Sequence, residues 1–356
     1  MENGKIKTHN LAFAYAGCYV GAGFLSGQEL WQFFGSFGKN GLIGLILALI
    51  IQGIIGTLIL IASSKSKNSD FSKIIIEKDN SIVRYLFIFL EMFFIFSIVM
   101  IMIAGAGSLL ESAFKINNFW ASIIFAIIIG AVSCFGINGV VKIFSATVPL
   151  LTVMTVVVSV LALCKYGFPS LENAQVTGGT LMLPNFVISF ILFATYNLFC
   201  SLGVIVPIGC KIQEKTTAIK GVVVANIILI LISFSVLMPI YSQNGFASKD
   251  LPMLAVAKDV NGVLFYVYAI LMFMGIFGSA VSNSVALLEF SMSKSKVIKQ
   301  KKYLFVIPVI LLAFILSRFG FSTLIGVIYP LSGYVGIIAF ILIAYNYFKK
   351  GNSRSN

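Results

Sequence analysis

The sequence predicts an all-α integral membrane protein of ten transmembrane helices, built as a 5+5 inverted repeat with helices one and six broken at midmembrane. Three observations lead there. Of the 356 residues, 59% are hydrophobic and only 10% charged, against roughly 45–50% and about 25% in soluble proteins; mean hydropathy is +1.02. The apolar residues gather in long segments whose flanking basic residues favour alternate sides. Two of these segments, at matching places in the two halves, carry glycine and polar side chains at their centres.

A membrane span needs about 20 apolar residues. Ten segments approach that length: 11–34, 42–63, 82–113, 119–135, 140–164, 185–208, 218–241, 263–290, 303–318 and 324–348. The first is long and interrupted by glycine and polar residues, unlike a signal-peptide core with its cleavage site, so it reads as a span. No stretch is polar and long enough for a soluble domain. The chain is therefore one membrane domain, with repeat one over about 11–164 and repeat two over about 184–348. The centres of spans one, two and three recur in spans six, seven and eight at offsets of about 174 to 179 residues. Because five is odd, the second half enters the membrane upside down, as in many secondary transporters.

Basic residues collect in cytoplasmic loops. With the N-terminus inside, 19 of the 25 Lys and Arg fall in inner segments and 6 in outer ones. This predicts a multi-pass protein of the plasma membrane with both termini cytoplasmic. It also absorbs the net charge of +13, which sets orientation rather than marking a nucleic-acid partner. Cys18, Cys134, Cys164, Cys200 and Cys210 lie in or beside apolar segments, without metal-ligand or C-x-x-C spacing. The single histidine, His9, sits in the polar N-terminal tail. With no nucleophile–base pair, metal cluster or phosphate loop, an enzyme is not expected. The expected partners are the lipid bilayer and a small-molecule substrate.

Span one reads Gly17-Cys-Tyr-Val-Gly-Ala-Gly-Phe-Leu-Ser-Gly-Gln-Glu29, with four glycines in eleven positions. Each glycine destabilises a helix interior by about 1 kcal/mol relative to alanine. Bare backbone at that depth survives only when buried in protein or lining a wet cavity. Close packing through small residues would account for Gly17, Gly21 and Gly23, but not for the adjacent Gln28 and Glu29. The matching stretch of span six is Phe193-Ala-Thr-Tyr-Asn-Leu-Phe-Cys-Ser-Leu-Gly203, with Tyr196, Asn197 and Ser201 at midspan. Interruptions at corresponding places in two halves point to a transport site.

Half-helices that start at the midplane aim unpaired N–H groups there, which suit a carboxylate. Those that end there leave free carbonyls, which suit an ammonium or another cation. One site can thus hold both ends of a zwitterion, which favours an amino acid or a related organic ion. The expected substrate-binding set is Gly21, Ala22, Gly23, Ser26, Gly27, Tyr196, Asn197 and Ser201. A bulky residue at Gly23 is expected to fill the ligand's space and leave the fold intact.

Two broken helices leading inverted five-span repeats resemble the LeuT-type fold of the amino acid–polyamine–organocation superfamily. The stretch Val20-Gly-Ala-Gly-Phe-Leu-Ser-Gly-Gln-Glu-Leu-Trp-Gln-Phe-Phe34 resembles, within it, the YkvI-like family of amino-acid permeases. Sodium-coupled members of the superfamily hold a cation between span-one carbonyls and span-eight hydroxyls. The resemblance implies Gly17 and Val20 on span one, with Ser279, Ser282 and Asn283 in Ser279-Ala-Val-Ser-Asn-Ser-Val-Ala-Leu-Leu288. Neutral oxygens suit a hard ion such as sodium, although Asn283 stands where Ser or Thr is usual.

Ionisable residues at membrane depth are functional candidates because burying charge in lipid is costly. Glu29 follows the break within about one turn. It could carry a proton, ligate a cation, pair with a substrate ammonium, or simply start a half-helix. Glu91 lies roughly 13 Å into span three, where it either lines the inner pathway or snorkels to the surface. Glu111 and Glu289 sit near span ends and are expected to be wet. Asn226 is expected to bond a neighbouring helix, and Trp31 and Trp120 to be interface anchors.

The functional expectation is a secondary active transporter of a small amino-acid-like solute, driven by sodium or protons. The alternative is a transporter-fold nutrient sensor that binds without transport. The topology is testable with membrane-impermeant thiol labelling of intact cells. Lys249→Cys should react from outside, whereas Lys73→Cys and Lys299→Cys should not; outside labelling at 299 would refute ten spans.

Overall fold

The computed structural model describes residues 6–66, 82–134, 140–171, 178–243 and 245–353. Lys73 of the topology test lies outside them. Helix occupies each of the ten predicted intervals, and the described residues contain no strand. Span one is α1 (Thr8–Tyr19), α2 (Ala22–Ser26) and α3 (Gln28–Phe33), followed by a 3-10 turn at Gly35–Phe37. Then come α4 (Gly38–Ser66), α5 (Ile82–Phe114), α6 (Asn118–Ser133) and α7 (Val140–Tyr166). The second half holds α8 (Phe186–Cys210), α9 (Lys215–Ser242), the short α10 (Pro252–Val260) and α11 (Gly262–Lys294). It ends with α12 (Lys296–Gln300), α13 (Tyr303–Ser317) and α14 (Phe321–Ser353). Among the described residues seven helical stretches are long and apolar enough to cross a membrane; α6 and α13 are shorter apolar helices.

Helix starts expose N–H groups that need a partner. Asparagines supply it: Asn117 accepts from Phe119 N–H (3.0 Å), Asn185 from Ile188 N–H (3.0 Å) and Asn261 from Val263 N–H (2.7 Å). The helices then sort into two groups. α1, α4, α8 and α9 pack on one another, as do α5, α6, α11 and α13. α7 touches both α9 and α11, and α14 touches both α8 and α5, so these two helices bridge the groups. Corresponding spans of the two halves share a group: one and two with six and seven, three and four with eight and nine.

Small residues set the close approaches within a group. Gly53 lies against the Asn226 amide, which donates to the Leu49 carbonyl at 3.0 Å. Asn226 thus bonds a neighbouring helix, as expected. Gly56 lies against the Tyr15 ring, whose hydroxyl donates to the Gln52 carbonyl at 3.0 Å. Gly333 and Gly336 of α14 rest on the backbone of Leu192 and Thr195.

Two expectations need correction, and one of the two readings of Glu91 is ruled out. Span six is not broken: α8 is continuous from Phe186 to Cys210. Its stretch has one glycine, and its polar side chains bond their own helix. Thr195 donates to Ile191 (2.9 Å), Asn197 to Phe193 (3.1 Å) and Ser201 to Leu198 (3.0 Å), all at carbonyls. Such back-bonding satisfies the side chain without unwinding the turn. Trp31 is buried at 9% exposure, edge-on to Tyr241, and only Trp120, at 61%, faces outward as an anchor would. Glu91 does not snorkel: it is fully buried beside Gly203. Glu111 and Glu289 are exposed, as expected.

Gly56→Leu should lower thermal stability by about 1–3 kcal/mol, because its side chain would displace Tyr15 and break the bond to Gln52. Purified-protein melting checks this; an unchanged midpoint would count against the tight α1–α4 contact.

Candidate functional site

Span one is interrupted twice, and the two interruptions differ chemically. The first is at Val20 (φ −80°, ψ 78°) and Gly21 (φ −101°, ψ −172°). Gly21 N–H curls back to the Tyr19 carbonyl at 2.9 Å. Among the described residues no hydrogen bond reaches the carbonyls of Gly17, Cys18 and Val20, or the N–H groups of Ala22, Gly23 and Phe24. This is the bare backbone that the glycines predicted.

The second interruption is at Gly27, whose φ of 83° favours glycine. Here the chain satisfies itself. Ser26 donates to the Gly23 carbonyl (3.0 Å) and accepts from Gln28 N–H (3.2 Å), while Tyr268 donates to the Leu25 carbonyl (2.8 Å). A Cβ at Gly27 would meet Ile240 and Val236. Ser26 and Gly27 therefore shape the segment, with their polar groups engaged.

Span six faces the first interruption as an intact helix. The Tyr196 hydroxyl donates to the Glu29 carboxylate, and its ring stacks on Tyr329 of α14 at 4.7 Å and 12°. Phe33 and Phe193 close the aromatic surround at 5.5 and 5.6 Å from Tyr196. About one turn further along α8, Ser201 lies beside the Tyr19 hydroxyl, which is buried without a well-formed hydrogen bond. Asn197 points its amide at its own helix. Span one's break, Glu29, Tyr196 and Ser201 are thus brought together.

Glu29 is 2% exposed. Among the described residues no Lys, Arg or His pairs with it. Its second oxygen fills the space beside Gly23, where a Cβ would come within 2.7 Å of Oε2 and 3.1 Å of Ile325. This corrects the expectation for Gly23: the carboxyl, and not open space, lies there. At Gly21, by contrast, an added Cβ would meet nothing within 4 Å.

The cation set is less closely joined. Span eight reaches span one at Leu25, through Tyr268 and the close approach of Gly275. The Asn283 amide donates to the Ser279 carbonyl at 2.8 Å. Among the described residues no hydrogen bond links Ser282 or Asn283 to Gly17 or Val20, and no cluster of His, Cys, Asp or Glu could hold a metal ion. The oxygens suit sodium in kind: two are span-one carbonyls without partners, and the buried Ser284 hydroxyl beside Asn283 also lacks one.

Apart from Gln28, already singled out at the break, three polar side chains of the region were not foreseen: Gln52, Gln32 and Tyr329. Gln52 on α4 is fully buried with both amide atoms unpartnered; a lone glutamine in an apolar run was its signal. Gln28 and Gln32 donate to Ser322 of α14, at 2.6 Å to its hydroxyl and 3.0 Å to its carbonyl respectively, and leave their amide oxygens unpartnered. Tyr329 has no local signal, since only the packing of α14 on α8 brings it in.

No protein-family model matches the chain. It is 26% identical over 347 residues to YkvI, an uncharacterized membrane protein of Bacillus subtilis (strain 168), covering 96% of both chains. It is 25% identical over 328 residues to YyaD of the same organism, covering 92% of this chain and 93% of that one. Among solved structures it is similar to MhsT in complex with L-phenylalanine, with a TM-score of 0.60, 16% identity, and 92% and 87% of the chains covered. A manganese transporter variant of Eremococcus coleocola matches at 0.51, 15% identity, and 97% and 72% coverage. The nucleobase-cation-symport-1 family transporter Mhp1 matches at 0.51, 14% identity, and 96% and 74% coverage. The fold is the LeuT-type transporter fold, and the resemblance to YkvI extends along nearly the whole chain.

The two glycines can be told apart by experiment. Gly21→Ala should leave the melting midpoint within about 1 kcal/mol of wild type. Gly23→Ala should destabilise by about 1–3 kcal/mol, because it evicts the Glu29 carboxyl. Equal melting of the two variants would refute this placement of Glu29.

Proposed function

We propose that the chain is a secondary active transporter of a small amino-acid-like solute, working by alternating access in the cell membrane with both termini cytoplasmic. One observation carries this: unpaired carbonyls and N–H groups at the Val20–Gly21 break, with Tyr196 and Ser201 of span six brought beside it through Glu29 and Tyr19. The carbonyls of Gly17, Cys18 and Val20 suit an ammonium, and the N–H groups of Ala22, Gly23 and Phe24 suit a carboxylate. The Tyr19 and Ser201 hydroxyls can bond either end. The open side of Gly21 gives the ligand room. The MhsT structure, which holds L-phenylalanine, supports a solute of that size and type.

Alternating access would move the α1–α4–α8–α9 group against the α5–α6–α11–α13 group. The break lets the two parts of span one tilt separately, and α7 and α14, each touching both groups, would flex with them. Coupling is to sodium or protons. Sodium would be held by Gly17, Val20, Ser279, Ser282 and Asn283, where it would supply positive charge beside the solute. Glu29 is the group able to exchange a proton.

The test is a thermal-shift screen of amino acids and amines with and without sodium, followed by proteoliposome uptake of the best binder. Binding should be followed by accumulation against a gradient, and Gly21→Leu should abolish both while the protein stays folded. If sodium is the coupling ion, Ser282→Ala should raise the half-saturating sodium concentration about tenfold, the loss of about 1.4 kcal/mol. Binding without accumulation under either gradient would instead mark a sensor.

A further inference from the structure

A carboxyl group sealed in an apolar interior cannot stay charged without a counter-charge, because the ion loses its hydration. Glu29 is such a group. It lies in α3, the outer part of span one, 2% exposed. The groups facing it that can titrate are Tyr196 and Cys200 of α8 and Tyr329 of α14; Cys200 is within electrostatic reach of Glu91 as well. On the neighbouring helices, Tyr241 of α9 turns to Trp31 and Gly35, and Tyr268 of α11 to the Leu25 carbonyl. None of these is a cation.

Nor is Glu29 simply a helix-start carboxylate. Ser26 already caps Gln28 N–H, and the Glu29 side chain instead reaches across to Tyr196 on another span. Its other oxygen sits against Gly23, in a seat that only glycine leaves open. The seat is buried but not isolated. The amide oxygens of Gln28 and Gln32, one turn apart on the same short helix, are buried without partners, and Gln28 is only 5% exposed. They offer acceptors to water entering beside Glu29.

We propose that Glu29 is a proton-binding site, and that its proton is the coupling ion. This rests on the transporter reading above. With the proton on, the neutral carboxyl fits its seat, bonds Tyr196 and draws the outer part of span one onto α8; through the Tyr196–Tyr329 stack it also engages α14. With the proton off, the carboxylate needs water, and the seat must open to supply it. A ligand shifts a conformational equilibrium only by its differential affinity for the two states; here the proton favours the sealed one. Outside, Glu29 takes a proton from hydronium, leaving water. Inside, it returns the proton to water, so each cycle carries one positive charge inward.

The experiment starts from the purified full-length protein in lipid vesicles, with protons as the only ligand. Infrared difference spectra across pH should show a protonated-carboxyl band that disappears as pH rises, and Glu29→Gln should lack it. Tyr196→Phe keeps the ring stack but removes the hydroxyl, so it should move that band to higher frequency, as a carbonyl does when it loses a hydrogen bond. In proteoliposomes tested with a panel of radiolabelled L-amino acids, an acid-outside gradient in choline should drive accumulation. Glu29→Gln should lose that drive, and its exchange, whatever the rate, should not change with pH. A wild-type band that persists in Glu29→Gln overturns the proton site. Accumulation driven by sodium and indifferent to acid overturns the coupling. If no amino acid is transported, the transporter reading fails, while the infrared result still decides the proton site.

Discussion

Every backbone N–H and carbonyl inside a bilayer needs a partner, because lipid supplies none. In this chain helices meet that demand almost throughout, with asparagine caps at Asn117, Asn185 and Asn261. At the Val20–Gly21 break the demand goes unmet over several neighbouring groups. The break is tolerated because span one is surrounded by protein, with α8, α9 and α11 packed around it. The polar side chains at depth gather near it for the same reason: Tyr19, Glu29, Tyr196 and Ser201 can meet each other or a ligand there, and nowhere in lipid.

Glycine does three different things in this molecule, and burial alone does not separate them. Gly21 leaves space open beside unpaired backbone. Gly23 clears a seat that a carboxyl group occupies. Gly27 adopts a left-handed turn against α9, where a side chain would collide. Elsewhere Gly53, Gly56, Gly333 and Gly336 let helices approach until side chains of one touch the backbone or polar groups of the next. Without a hydrophobic drive between helices in lipid, such close contacts and interhelical hydrogen bonds hold the groups together. The bond from Thr195 to the Gly333 carbonyl, at 2.9 Å, is one of these.

The Glu29–Tyr196 pair joins the break to the rest of the fold. It connects span one to span six directly and to span ten through stacked rings, while Gln28 and Gln32 reach span ten by Ser322. Three spans therefore meet around one short helical piece. A change of charge at Glu29 would be felt by all three, since the same side chain provides the hydrogen bond and fills the gap beside Gly23.

By itself the sequence determined what depends on local chemistry. Apolar length set the helices, four glycines in eleven positions unwound span one at the predicted place, and Asn226 was legible because a lone amide in a span must find a neighbour. The YkvI-like resemblance was carried by the same segment. What the sequence could not determine was which of several available partners each polar group takes once the helices pack. Span six looked breakable from its polar residues, yet Thr195, Asn197 and Ser201 bond their own preceding turn while Tyr196 bonds Glu29, and one glycine is too few to unwind a helix whose side chains are already satisfied. Gly23 looked like ligand space until packing put Glu29 there, and Trp31 looked like an anchor until Tyr241 covered it. Tyr329, Ser322 and Gln52 joined the region only because α14 and α4 fold against α8. Local propensity is written residue by residue, but whether a buried polar atom turns to its own helix, as Asn197 does, or to another span, as Tyr196 does 167 residues away from Glu29, is decided by the packing of helices distant in the chain.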